Sequence, residues 1–156
     1  MERALVHGVR TSAHLFALEV TGAHPLADLV RALPGLDSLA VDGPSVTLVV
    51  PRDSLPLALT RLRSSGQVHL AGPLTEVAVL GAGLRSDPAM VSLFCEAVAR
   101  AGAPLRFLGL EGAVLSVRCP DHLAVAVTRA VCEVFEVQAS DRAMNNAVSP
   151  SDSVPV

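Results

Sequence analysis

Residues 77–94 read VAVLGAGLRSDPAMVSLF and combine three local signals. An apolar run ends in a glycine-rich turn at Gly81, and a helical pattern of apolar residues follows Pro88. Strand, glycine turn and helix also begin a dinucleotide-binding site, but that fingerprint needs a third Gly or Ala where Ser86 stands. It also needs an acidic residue further on, and Arg106 is nearby instead. The segment therefore does not predict a nucleotide site.

Residues 46–62 and 114–130 resemble each other. Set 68 positions apart, they match at Asp53 and Asp121, Leu55 and Leu123, Ala58 and Ala126, and Thr60-Arg61 and Thr128-Arg129. A repeat of this length predicts two copies of one supersecondary unit.

Each copy has the pattern of strand, helix, strand, strand, helix. Helices are predicted after Pro25 and Pro88, and a hairpin is predicted at Asp42-Gly43. Asp53 and Asp121 stand where helix N-caps belong. Separate strands are predicted at residues 14–20, 67–72 and 75–81. The order predicts an α+β protein with two ferredoxin-like βαββαβ units, that is, antiparallel sheets with helices on one face.

Composition limits the partners that we expect. The chain has 156 residues, is 51% hydrophobic and carries a net charge of -3. All 12 basic residues are Arg, and the absence of Trp and Tyr argues against base stacking, so we expect no nucleic-acid partner. No apolar run reaches the roughly 18 residues of a membrane span, and the N-terminus does not resemble a secretory signal. We therefore expect a cytoplasmic protein with no membrane partner.

The residues that could bind metal form no recognisable pattern. Cys95, Cys119 and Cys132 match no zinc-binding spacing, and each lies in an apolar setting that favours a buried structural thiol. The five histidines show no metal-ligand spacing either. The sequence predicts no metal site and no cofactor.

Several motifs resemble the regulatory part of aspartate kinases. Val79–Pro88 is similar to the V-G-A-G-M-K/R-S-H-P-G motif that opens the second ACT domain of that family. Phe94–Val98 resembles the F-E-A-L helix that follows, and Arg129–Phe135 resembles R-A-L-H-E-x-F. Met1–Val9 resembles the M-E-x-A-x-x-T-G-V opening of separately produced regulatory subunits.

The resemblance implies two ACT domains. Residues 13–72 would form a first, inserted domain, and residues 3–10 plus 74–137 would form the second. Residues 138–156 are polar and aperiodic, which predicts a disordered tail. The family implies a homodimer through side-by-side ACT pairing, a bound amino acid such as threonine or lysine, and a kinase chain as partner. It implies no kinase activity for this chain alone.

The effector loops depart from the family. The first loop lacks the acid of the family's D-x-P-G signature and has His24 and Pro25 there, while the effector-response turn contains Leu110 and Glu111. The candidate ligand-binding residues are therefore Arg85, Ser86, Asp87, His24, Pro25, Leu110 and Glu111. Asp87 has a simpler interpretation as the N-cap of the following helix.

Three functional hypotheses stay open. The first is a non-catalytic regulatory protein that binds a small amino-acid-like molecule. The second is an ACT-fold enzyme of the cyclase or isomerase type with an apolar pocket, in which Glu111, Asp87 or a histidine would act. The third is a scaffold without a ligand that pairs with a kinase chain.

Overall fold

The computed structural model describes residues 5–22 and 25–139, which form a six-stranded antiparallel sheet and four α-helices. The strands are β1 (Leu5–Thr21), β2 (Ser38–Asp42), β3 (Ser45–Pro51), β4 (Gln67–Ala82), β5 (Leu108–Glu111) and β6 (Val114–Pro120). The helices are α1 (Leu26–Ala32), α2 (Leu55–Leu62), α3 (Pro88–Arg100) and α4 (Ala124–Phe135). The order across the sheet is β2-β3-β1-β4-β6-β5.

Two long strands run through the whole sheet. β1 has 17 residues and β4 has 16, and they pair from Leu5 opposite Ala82 to Thr21 opposite Gln67. The prediction of separate strands at 67–72 and 75–81 is therefore wrong. Pro73 does not break β4, because β6 joins it only from Leu74 onward and Proline is tolerated where a strand lacks a second neighbour.

The long strands connect two similar units. The first unit contains α1, β2, β3 and α2 with the ends of β1 and β4 that meet at Thr21 and Gln67. The second unit contains α3, β5, β6 and α4 with the opposite ends of β1 and β4. Each unit has the ferredoxin-like strand order, which confirms the predicted α+β class. The domain bounds themselves stay a prediction, since both long strands cross between the units.

A separate apolar core lies under the helices of each unit. The first core contains Leu18, Leu29, Leu48 and Leu62. The second core is larger and is centred on fully buried side chains: Val77, Val79, Leu84, Phe94, Leu115, Val117 and Val127. These residues alternate along the strands with residues that face the other side of the sheet, as expected for one buried and one open face.

The sheet curls so that the helix-free faces of the two units meet. β2 and β6 are four strand spacings apart, about 19 Å in a flat sheet. Nevertheless Asp37, next to β2, contacts Arg118 of β6. A third apolar cluster of Ala17, Val49, Leu74 and Phe107 fills the space between the units. The bend coincides with irregular pairing of β1 and β4 between residues 13 and 18.

His14 marks this bend. It is the extra residue between the pairs Ala13–Thr75 and Leu15–Leu74, and its φ is 106°, in a region that favours glycine. We expect His14→Gly to stabilise the fold by about 1 kcal/mol, because it relieves this strain. Urea unfolding followed by circular dichroism measures the change.

Ala13→Gly is the matched control. Ala13 is exposed and lies in the same strand, but its φ is ordinary, so glycine there should cost about 0.5–1 kcal/mol. Equal destabilisation by both variants would show that the bend stores no strain at His14.

Two predicted helix caps are wrong. Asp53 and Asp121 each lie in a short 3-10 turn before α2 and α4, and neither caps the helix with its side chain. Asp121 instead accepts a hydrogen bond from Thr75 Oγ1, which ties this turn to β4.

At the other end of α4 the chain continues to Ala139, which forms a single parallel bridge with Val9. Most of the predicted tail, residues 140–156, lies outside the described residues.

Candidate functional site

The glycines of the 81–87 loop are explained by the backbone. A Cβ on Gly81 would overlap the carbonyl oxygen of Leu5 on the neighbouring strand. Gly83 adopts a left-handed conformation with a φ of 70° at the start of the turn that precedes α3. Both positions thus require glycine for the path of the chain.

The rest of the loop presents polar groups. Leu84 is buried in the second core and anchors the loop, while Arg85 and Ser86 are exposed. Asp87 Oδ1 accepts a hydrogen bond from the backbone N–H of Ala89 at 3.0 Å. This confirms that Asp87 caps α3, and Pro88 occupies the first turn as expected.

The turn between β5 and β6 lies beside this loop. The N–H of Gly81 donates to the carbonyl oxygen of Ala113 at 2.9 Å, which joins the end of β4 to that turn. Glu111 is exposed at the end of β5, and Leu110 is 42% exposed. The structure therefore places Arg85, Ser86, Asp87, Leu110 and Glu111 at one end of the second unit. We call these five residues the second-unit cluster.

Pro25 lies elsewhere. It is exposed at the start of α1, close to Thr21, which is at the opposite end of the paired long strands. Gln67 and Ala82, the ends of β4, are about 50 Å apart along a straight strand, although the bend shortens this. His24 lies outside the described residues. Pro25 and the second-unit cluster therefore lie at opposite ends of the two long strands.

Asp87→Ala tests the capping role. The loss of the bond to the Ala89 N–H should reduce the free energy of unfolding by about 1 kcal/mol. Asp87→Asn is the control, because an asparagine oxygen accepts the same hydrogen bond and should keep most of the stability. Thermal unfolding by circular dichroism measures both. Equal loss in the two variants would contradict a capping role.

The cysteines fit a packing role in part. Cys119 is fully buried, and its Sγ lies 3.6 Å from the carbonyl oxygen of Thr75. Burial raises the pKa of the Cys119 thiol, and burial also raises the pKa of Cys132, so both thiols resist ionisation at neutral pH. Cys95 and Cys132 are only half-buried. Within residues 5–22 and 25–139, no three His, Cys, Asp or Glu side chains group closely enough to hold a metal ion.

A polar network on the helix-free face is absent from the sequence-based candidates. Arg118 Nε lies 2.6 Å from Asp37 Oδ2, and Arg118 Nη2 lies 3.3 Å from Glu76 Oε2. Glu76 Oε1 also lies 3.6 Å from Arg10 Nη2. The Nε–H of Arg118 does not point along the line to Asp37, so that contact is an ion pair without an aligned hydrogen bond.

A second polar contact lies on the same face. Arg106 Nη2 donates to Oγ1 of Thr47 at 2.9 Å, and Thr47 is buried. The alternation of β6, in which Ser116 and Arg118 face away from Leu115 and Val117, signals which side chains share this face. The sequence has no signal for Asp37 as a partner of Arg118, because Asp37 comes from a distant loop, whereas Glu76 lies opposite Arg118 on the neighbouring strand β4.

A shallow groove lies on the outer surface of the helices of the second unit. Its volume is about 450 Å³, and it is lined by Leu93, Glu96, Ala99, Arg100 and Val134. The groove contains none of the predicted site residues.

None of the helices in the described part of the chain is both long and apolar enough to cross a membrane.

Comparison with known proteins supports the resemblance seen in the motifs. No protein-family model matches the chain. An aspartokinase from Mycolicibacterium smegmatis is 29% identical over 105 residues, which cover 64% of this chain and 25% of that protein. The chain thus spans about a quarter of the length of this curated relative.

Solved structures match over a larger share of the chain. The regulatory subunit of aspartate kinase from Thermus flavus is 26% identical, with a TM-score of 0.69 over 83% of this chain and 98% of that one. The ligand-free regulatory subunit from Thermus thermophilus is 25% identical, with a TM-score of 0.76 over 85% and 99%. A structure of aspartokinase alpha and beta subunits is 18% identical with a TM-score of 0.67, which shows the fold alone. The resemblance to aspartate kinase regulatory subunits is thereby confirmed.

Proposed function

We propose that this chain is a non-catalytic regulatory protein that binds an amino-acid-like molecule and acts on a kinase chain. The observation that carries the proposal is the fold match to two regulatory subunits of aspartate kinase, which extends over 98% and 99% of those chains. The motif that opens the second unit supports it, because it occupies the same strand, loop and helix that the resemblance implies.

The second-unit cluster has the chemistry for a zwitterion. Arg85 offers a guanidinium for a carboxylate, and the first turn of α3 offers free N–H groups and the positive end of the helix dipole. Glu111, across the junction between Gly81 and Ala113, offers a carboxylate for an ammonium group. Leu110 precedes Glu111 in β5, so the two side chains face opposite sides of the sheet, and Leu110 lies on the side of α3. Opposite charges on two adjacent loops fit an amino acid better than a single anion or cation.

Calorimetry with threonine, lysine and related amino acids tests the proposal. We expect saturable binding to the native chain. Arg85→Met and Glu111→Gln should each weaken binding about tenfold or more, because each removes one charged contact. Arg129→Met is the matched control, since Arg129 is an exposed arginine of α4, outside the cluster. If none of these amino acids binds, amino-acid sensing is excluded and the scaffold hypothesis remains.

We also propose a homodimer through the outer edges of the sheet. β2 and β5 are edge strands, and they expose apolar side chains on the helix side: Leu39, Val41, Leu108 and Leu110. Unpaired edges with apolar side chains favour pairing with another strand. Val41 is 58% exposed, so Val41→Glu should shift the chain towards monomer in analytical ultracentrifugation without unfolding it.

The proposed kinase partner needs a separate test, which is co-purification of this chain with an aspartate kinase catalytic chain.

A further inference from the structure

We propose that the two units regulate each other through a pair of polar struts on the helix-free face. The first strut is the contact of Asp37 with Arg118, and the second is the contact of Arg106 with Thr47. The proposal extends the proposed function: it names how occupancy at one end of the chain would be sensed at the other.

The first strut connects the end of α1 to the second unit. The chain leaves α1 through Leu33, which is buried, and Leu36, which packs against the first core, and reaches Asp37 directly afterwards. The side chains of Arg118 and Asp37 are only 16% and 25% exposed. Arg118 is half-buried, but Asp37 as a whole residue is exposed, so the ion pair is only partly shielded from water and its charge interaction is screened in part.

The second strut runs from the second unit to the first. The chain leaves α3, in the second unit, and places Arg106 and Phe107 over the first unit. Arg106 donates to the buried Thr47 of β3, while Phe107 packs into the third apolar cluster beside Val49. Each strut therefore starts at the end of one unit's first helix and makes contact with the other unit.

The two helices also begin at the candidate loops. α1 follows Pro25 directly, and α3 follows Asp87. α1 has only seven residues and is anchored by the buried Leu29, so its start and its end are only about 9 Å apart. The segment that follows α1 thus reaches the opposite unit through an ion pair, and the segment that follows α3 reaches it through a hydrogen bond.

The polar contacts at the first strut are not fully satisfied. The Nε–H of Arg118 is buried without an aligned acceptor, and Glu76 is shared between Arg118 and Arg10. Asp37 also accepts a hydrogen bond from the hydroxyl of Ser38 at 3.0 Å, which would partly satisfy it if Arg118 moved away. The strained bend at His14 lies between the units. Small differences in contact energy can shift a conformational equilibrium.

Hydrogen exchange measured by NMR tests the coupling without any ligand. The N–H of Arg118 donates to the carbonyl oxygen of Phe107 at 3.1 Å, so this amide reports on the second unit. Ala27→Gly loosens α1 in the first unit at an exposed position. We expect exchange of the Arg118 amide to become about five- to tenfold faster. In an Arg118→Met background, Ala27→Gly should leave the exchange of the residue 118 amide unchanged.

Thr60→Gly is the control, because it loosens α2, whose end carries neither strut. Asp37→Asn breaks the same strut from the other side and should also abolish the response, which keeps the test valid if Arg118→Met folds poorly. An Arg118 amide that ignores Ala27→Gly would overturn the proposal. So would a response of equal size with the strut removed.

Calorimetry separates this inference from the proposed function. If threonine or lysine binds the native chain, Arg118→Met should change its affinity at least about fivefold, although Arg118 is not in the second-unit cluster. An unchanged affinity would overturn the regulatory role of the strut. If neither amino acid binds any variant, the proposed ligand is wrong, and the exchange experiment alone decides whether the units are coupled.

Discussion

Gly81→Ala is expected to reduce the free energy of unfolding by about 2–3 kcal/mol. The new methyl group would overlap the Leu5 carbonyl oxygen and lie 3.1 Å from Leu84 Cδ1, which belongs to the second core. Neither neighbour can retreat easily, because one is backbone and the other is fully buried. The end of β1 would have to separate from β4, or Leu84 would have to leave its site. Urea unfolding followed by circular dichroism measures the loss.

Gly8→Ala provides the matched control. Gly8 lies on β1 opposite Leu80, and a Cβ at this position meets no atom within 4 Å. Its φ is not in the region that excludes other residues. We therefore expect a change within about 0.5 kcal/mol. If Gly81→Ala were equally mild, the close approach of the two strands would not be what requires glycine there.

Gly81 is an example of a local signal that the sequence could supply. The motif from Val79 to Pro88 predicted a strand, a tight loop and a capped helix, and all three are present. These features depend on local conformation, which the residues of the segment themselves determine. The repeat predicted the two units for the same reason, since the pairs Asp53 and Asp121, Leu55 and Leu123, and Ala58 and Ala126 recur at one fixed offset.

The relative position of distant segments could not be predicted in this way. Strands at residues 14–20, 67–72 and 75–81 were predicted as separate pieces, whereas they belong to the continuous strands β1 and β4. Their continuity depends on pairing with each other across the chain. The curl of the sheet likewise depends on Phe107 and on the contact of Asp37 with Arg118. Local periodicity contains no information about such pairs.

The candidate site shows the same limit. The sequence placed Pro25 with Arg85 and Glu111 in one set of candidates, because the family resemblance assigned all of them to effector loops. In the antiparallel register of β1 and β4, Pro25 follows one end of the paired strands, whereas Arg85 and Glu111 lie at the other end.

Phe94→Ala is expected to have the largest effect, a loss of about 3–5 kcal/mol. Phe94 is fully buried at the centre of the second core, and removal of its ring leaves a cavity between α3 and the sheet. Leu93→Ala is the control, since Leu93 is 39% exposed on the neighbouring position of α3 and should cost under about 1 kcal/mol. The chain has no Trp or Tyr, so unfolding must be followed by circular dichroism and hydrogen exchange.

The Phe94→Ala variant also tests whether the two units unfold together. Because β1 and β4 pass through both units, the first unit loses half of each long strand's pairing when the second unit unfolds. The third apolar cluster and the two struts are lost at the same time. We therefore expect a single transition, in which amides of β3 such as Leu48 and Val50 lose protection together with those of α3. A first unit that stays protected after the second has unfolded would show that the shared strands connect the units without making them cooperative.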